Sequence, residues 1–174
     1  MTSQPIAVGY PVPDASVFTA ASPPAPARVR ALLPRGRRWL VVCVPGAFTP
    51  GCSKVHLPGF VANGDKLRAA FGADGIAFVA ANDGFVMEAW GQTHGVAAAG
   101  ITMVADPLCA WGTALGLVQH PPFAGEGQPR YRRAALLIAA DGTLERLWLE
   151  TQPRGVHNTG AEQLLAQAIG KSKL

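Results

Sequence analysis

Apolar and polar positions along this chain fall into short solid runs and longer mixed ones. Trp39 to Val44, Gly75 to Ala81 and Ile101 to Ala105 are nearly unbroken apolar runs, rich in β-branched residues. That is the pattern of strands buried on both faces. The mixed stretches between them predict helices. One runs over 51–71, bent near Pro58-Gly59. A second runs to about His94, with N-cap chemistry from Asn82-Asp83, and a third covers 108–117 behind Asp106-Pro107. Arg132 to Ala139 and Leu144 to Glu150 flank Asp141-Gly142, a strong hairpin signal. A final amphipathic helix is predicted over 160–169, with Leu164 and Leu165 inward. Residues 1–28, rich in Pro, Ala and Ser, read as an extended lead-in with a short strand at 15–18, and 121–128 reads as a loop. The order β-α-β-α-β-α-β-β-α gives parallel pairing first and an antiparallel hairpin last. The predicted class is α/β: a three-layer α/β/α sandwich on a mixed central sheet, with 1–174 forming a single domain.

Composition narrows the function. The chain has 174 residues, 49% apolar and 15% charged, which excludes intrinsic disorder. A chain of this length buries about 70% of the surface it exposes when unfolded, so it needs no disulfide or structural metal to fold. The formal charge is only +4. The basic residues gather at Arg28 to Arg38 and at Arg130 to Arg133. A nucleic-acid site on the first group would need interleaved aromatic rings to stack bases, and only Trp39 is near. No apolar run approaches the roughly 20 residues of a membrane span, and Met1 to Pro13 lacks the features of a secretory signal. The expected setting is soluble and intracellular, with no nucleic-acid or membrane partner. The terminal Ser172-Lys173-Leu174 spells a peroxisomal address if the source is a eukaryote; otherwise the expected location is the cytoplasm. Cys43, Cys52 and Cys109 form no CxxC and no even-numbered disulfide framework.

The chemistry gathers in Val44-Pro-Gly-Ala-Phe-Thr-Pro-Gly-Cys-Ser-Lys-Val-His56. Here Cys52 follows a buried strand and falls in the first turn of a helix. Free backbone N–H groups and the positive end of the helix dipole favour its thiolate, the nucleophilic form. Thr49 lies three residues earlier, within reach of the sulfur or of a bound oxygen. Pro45 and Pro50 stiffen the loop. A further positive group must come from elsewhere, and the Arg132-Arg133 pair opens the strand before the hairpin. His56, at i+4 from Cys52, reads as a neighbour that packs or hydrogen-bonds near the site; two ligands alone make a poor metal site, so no metal is expected.

Pro45-x3-Thr49-x2-Cys52 resembles the active-site motif of the peroxiredoxins, and residues 44–60 are similar to the type II peroxiredoxins, the peroxiredoxin-five subfamily, nearly residue for residue. Asn82-Asp83-x-Phe85-Val86, Trp90-Gly91, Ala105-Asp106-Pro107 and the Arg133 strand extend the likeness over about residues 5–170. The resemblance implies a thioredoxin-like fold without a cofactor. It implies a peroxidatic Cys52 that becomes a sulfenic acid, a Thr49 that holds sulfur and peroxide, an Arg133 that stabilises the developing charge, and a Pro45 that shields the site. Thr49, Gly51, Cys52, His56 and Arg133 are the residues expected to meet hydrogen peroxide or an alkyl hydroperoxide. Arg132 is the alternative to Arg133. The Phe48, Phe85 and Trp90 regions resemble surfaces these proteins use to form homodimers.

Many members carry a resolving cysteine before the last helix; the loop Thr151 to Gly160 has none. The resemblance then implies reduction by an external thiol, glutathione with glutaredoxin or thioredoxin, unless Cys43 or Cys109 resolves. Cys109, at a helix start, is a second place where a lowered thiol pKa is expected. A redox sensor or chaperone using the same Cys52 is the competing reading.

Overall fold

The computed structural model describes residues 4–121, 128–152 and 155–170. β1 (Ser16–Thr19) and β2 (Pro26–Arg28) lead into one helical turn, α1 (Val29–Leu32). The body follows: β3 (Trp39–Cys43), a π-helical turn (Cys52–His56) running directly into α2 (Leu57–Phe71), β4 (Gly75–Ala80), α3 (Gly84–His94), β5 (Ile101–Ala105) and α4 (Ala110–Ala114). Two-residue strands β6 (Val118–Gln119) and β7 (Arg130–Tyr131) pair with each other. β8 (Ala134–Ile138), β9 (Leu144–Leu149) and α5 (Ala161–Gly170) complete the chain.

The seven-stranded sheet has the order β2-β1-β5-β4-β3-β8-β9. β3, β4 and β5 are parallel, while β8, β9, β1 and β2 pair antiparallel. The three apolar runs therefore form the sheet's centre, as their lack of alternation predicts. Their alternate residues feed two separate cores. Leu40, Val42 and Val44 pack with Cys52, Phe60, Leu67, Trp90 and Leu164 on the face covered by α2, α3 and α5. Val41 and Cys43 pack with Val29, Cys109, Trp111 and Tyr131 on the face covered by α1 and α4. Three layers result. Gly75 is required where it stands, because a Cβ there would collide with the Trp39 ring on the neighbouring strand.

Departures from the expected elements have local causes. The helix from residue 51 opens as a π turn, and Pro58, which lacks an N–H, sits where that turn gives way to α2. Asp83 caps α3 by accepting from the Val86 amide at 2.9 Å, while the neighbouring Asn82 is used elsewhere. The third helix is only five residues long. β2, α1, β6 and β7 are too short to carry a period. Residues 122–127 of the expected loop and the terminal Ser172-Lys173-Leu174 lie outside the described residues.

Asp106 holds the far core together. Buried, it accepts from the amides of Ala110, Trp111 and Gly112 and from the Tyr131 hydroxyl at 2.6 Å. Asp106→Ala strands three amides and a buried phenol, so it is expected to lower unfolding free energy by about 3–5 kcal/mol in urea denaturation.

Candidate active site

Parallel strands bring their C-terminal ends to one end of the sheet, and the loops there build the site. The loop after β3 is pinned from both sides. Asn82, after β4, accepts from the Ala47 amide at 2.9 Å. Thr49 turns back on Gly46, its hydroxyl donating to the Gly46 carbonyl at 2.8 Å. Phe48, between them, takes a left-handed backbone (φ 58°) and points its ring outward, 53% exposed. The turn that follows buries Cys52 completely. Ser53 is fixed from α3, whose Trp90 Nε1 donates to its hydroxyl at 2.9 Å.

The alternation of β8, carried back to the two arginines that precede it, sets which of them lies on the Cys52 side of the sheet. Arg133 has the parity of Ala135 and Leu137, which line the core that contains Cys52; Arg132 has the parity of Ala134 and Leu136, which line the other. The Arg133 Nη2 lies 3.2 Å from where a Cβ on Gly51 would stand, against the residue before Cys52. Its Nη1 bonds the His56 Nδ1 at 2.8 Å. A cleft of about 210 Å³ opens beside it, lined by Pro45, Gln119, Arg132, Arg133, Glu150 and Thr151 among others.

His56 is fully buried, with Phe60 and Phe78 edge-on to its ring at centroid distances of 5.5 and 5.8 Å. Its Nε2 lies 2.9 Å from the Thr159 carbonyl, an acceptor only. That nitrogen therefore carries the proton, and Nδ1 offers a lone pair to Arg133. Burial and then the Arg133 charge push the imidazole pKa from 6.5 down to about 4. The ring is neutral and both its nitrogens are engaged, so it is not disposed to hold a metal with Cys52. Among the described residues no group of three or more His, Cys, Asp or Glu side chains could hold a metal ion.

The other two cysteines lie across the sheet from Cys52, in the opposite core. Burial, then Asp106, raises the Cys43 thiol pKa far above its usual value and that of Cys109 to about 12. This reverses the expectation for Cys109. It caps a five-residue helix from a left-handed backbone (φ 49°), buried beside the Asp106 carboxylate, and the burial and the neighbouring anion outweigh the helix end. Trp90, like Cys52, is fully buried in the core, whereas Phe48 and Phe85 are exposed. Asn82, Glu150 and Thr159 bind the site together through backbone atoms, and no local motif marks such bonds in a sequence.

Comparison with known proteins agrees with this geometry. A Redoxin family model matches residues 7–165. The chloroplastic peroxiredoxin-2E-2 of Oryza sativa subsp. japonica is 38% identical over 170 residues, spanning 94% of this chain and 72% of that one. The structure of reduced Prx3 from Vibrio vulnificus in complex with hydrogen peroxide matches with a TM-score of 0.83 at 35% identity, covering 97% of this chain and 99% of that one. Peroxiredoxin 5 from Alvinella pompejana matches with a TM-score of 0.77 at 31% identity, covering 95% and 99%.

Fold and comparisons together define a thioredoxin-fold thiol peroxidase. The chain belongs to the redoxin family, and within it to the type II, peroxiredoxin-five-like peroxiredoxins of the AhpC/TSA superfamily. It is an oxidoreductase that reduces peroxides with thiols, and the sensor or chaperone reading is not favoured.

The buried neutral His56 has a consequence for stability. Between pH 6.5 and 4 the unfolded chain binds a proton at His56 that the folded chain does not, so its contribution is intact above pH 6.5 and is lost as pH falls. By pH 5 this loss amounts to about 2 kcal/mol. Urea unfolding of the wild type is expected to weaken over this range, and His56→Leu, whatever its stability at pH 7, to show a shallower decline.

Proposed function

We propose that Cys52 is the peroxidatic residue of a one-cysteine peroxidase, with 1–174 acting as one domain. The observation that carries this reading is the Arg133 guanidinium against the Gly51–Cys52 turn, on the only one of the three cysteines that shares its face of the sheet. Arg133 stabilises the Cys52 thiolate and the negative charge that grows on the departing oxygen. Thr49, whose hydroxyl proton is engaged with Gly46, keeps lone pairs free to accept the peroxide O–H. Pro45, with no N–H, borders the cleft without competing for the peroxide oxygens. Gly51 leaves room for Arg133. His56 contributes by orienting Arg133, since neither of its nitrogens is free for the peroxide.

The thiolate sulfur attacks one peroxide oxygen and the O–O bond breaks. The S–O bond forms a sulfenic acid, and the departing oxygen takes a proton and leaves as water or an alcohol. One external thiol then condenses with the sulfenic acid, releasing water and forming a mixed disulfide. A second thiol displaces Cys52 as the thiolate and leaves as the oxidised disulfide. Glutathione with glutaredoxin, or thioredoxin, is the proposed reductant, because no other cysteine lies on the Cys52 face of the sheet.

We also infer a homodimer. Phe48, Val55, Phe85 and Leu108, 53–79% exposed, all lie in segments at the C-terminal ends of β3, β4 and β5, so one end of the molecule presents an apolar surface. No helix among the described residues is long and apolar enough to cross a membrane.

In steady-state reduction of hydrogen peroxide, Cys52→Ser is expected to lose at least a thousandfold in rate, whereas Cys43→Ser and Cys109→Ser keep theirs within about threefold. Loss of turnover in Cys109→Ser would overturn the one-cysteine reading. Sedimentation velocity is expected to show a dimer for the wild type and a monomer for the Phe85→Arg, Leu108→Arg double variant; a monomeric wild type would refute the interface.

A further inference from the structure

Arg133 is held in an unusual way. Among the described residues its guanidinium makes no ion pair. Its side-chain partner is the lone pair of a neutral imidazole. A carboxylate in that place would orient the arginine equally well but would cancel much of the charge that a thiolate needs. An imidazole orients it without neutralising it. The imidazole serves only while its proton stays on Nε2 and its ring stays fixed, and both depend on the Thr159 carbonyl.

The Thr159 carbonyl lies in the segment 155–160, which has no helix or strand. One carboxylate oxygen fixes that loop. Glu150 Oε1 accepts from the amides of His157, Asn158 and Thr159 at 2.9, 2.9 and 3.0 Å and from the Thr159 hydroxyl at 2.9 Å. Asn158 adds a bond from its side-chain amide to the Leu149 carbonyl at 3.1 Å. Burial pushes the Glu150 carboxyl pKa up, but these bonds more than offset it and hold the group ionised below the usual carboxylate range. The same residue touches Arg133 from the other side, its amide donating to the Arg133 carbonyl at 3.1 Å. Glu150 thus fixes Arg133 at its main chain directly and at its side chain through Thr159 and His56.

We propose that Glu150 is a positioning residue for the reaction at Cys52, acting through the Thr159 carbonyl and His56 on the Arg133 guanidinium. The inference rests on the reading of Cys52 and Arg133 above. It assigns a role to residues 157–159, which lie in the segment that lacks a resolving cysteine and which Glu150 ties to the scaffold.

Glu150→Gln keeps the shape and an acceptor oxygen but removes the charge that gathers four donors. It is expected to slow the reaction of the reduced enzyme with hydrogen peroxide about tenfold in stopped flow. It is also expected to raise the pH midpoint of Cys52 alkylation by iodoacetamide, read in a Cys43→Ser, Cys109→Ser background. Thr159→Ala removes one of the four bonds and leaves the loop backbone as it is. A two- to threefold slowing is expected, which keeps the test decisive if Glu150→Gln does not fold. Placed on His56→Leu, which cuts the relay, Glu150→Gln should cost less than a further twofold in rate, while its effect on thermal stability persists. The proposal is overturned if Glu150→Gln and Thr159→Ala lower the melting temperature yet leave rate and alkylation midpoint at wild-type values. It is equally overturned if Glu150→Gln slows the His56→Leu enzyme by the full tenfold. Alkylation needs no peroxide, so it reports on Glu150 even if wild-type peroxide reduction does not depend on Cys52, the result that would sink the catalytic reading alone.

Discussion

A positive charge beside a buried sulfur is useful only if nothing nearer neutralises it. That constraint organises this molecule. Arg133 meets Gly51 with one nitrogen and a neutral imidazole with another. The imidazole stays neutral because it is sealed by Phe60 and Phe78 and faces a guanidinium. Its tautomer is set by a main-chain carbonyl. The buried neutral imidazole costs stability in acid and holds the arginine in place. The acid sensitivity of His56 is the thermodynamic mark of that arrangement.

The sheet supplies the second constraint. Cys43 ends β3 facing the far core, whereas Cys52 starts the helix that covers the sheet's other face, so the two enter different cores although they are nine positions apart. Cys109 joins Cys43 on the far side. Three cysteines within one small domain are thereby reduced to one available sulfur. An oxidised Cys52 has no thiol on its own face of the sheet, which is the physical ground for an external reductant.

Much of this was legible in the sequence. The unbroken apolar runs marked the central strands, and Asp141-Gly142 marked the hairpin, whose turn is closed by Asp141 accepting from Thr143. The Pro45–Cys52 loop stood out because prolines, glycines and a cysteine follow a buried strand. What escaped had causes that do not appear locally. The choice between Arg132 and Arg133 depends on strand register, which one residue reverses. Cys109 looked activated because a helix start is visible in sequence, whereas the buried Asp106 beside it is a tertiary fact. Glu150 and Thr159 act through backbone groups across nine residues, and Asn82 reaches a loop 35 positions away. Residue identity gives no hint of such partners.

In this peroxidase Cys52 alone among the three cysteines is proposed to meet peroxide and to end as a sulfenic acid with no intramolecular partner. Mass spectrometry of the reduced protein after one equivalent of hydrogen peroxide, with dimedone present as a sulfenic-acid trap, tests it most directly. A single dimedone adduct is expected on the peptide carrying Cys52, with Cys43 and Cys109 unmodified. A disulfide joining Cys52 to Cys109 or Cys43 within one chain, or an adduct on either of those residues in place of Cys52, would contradict it.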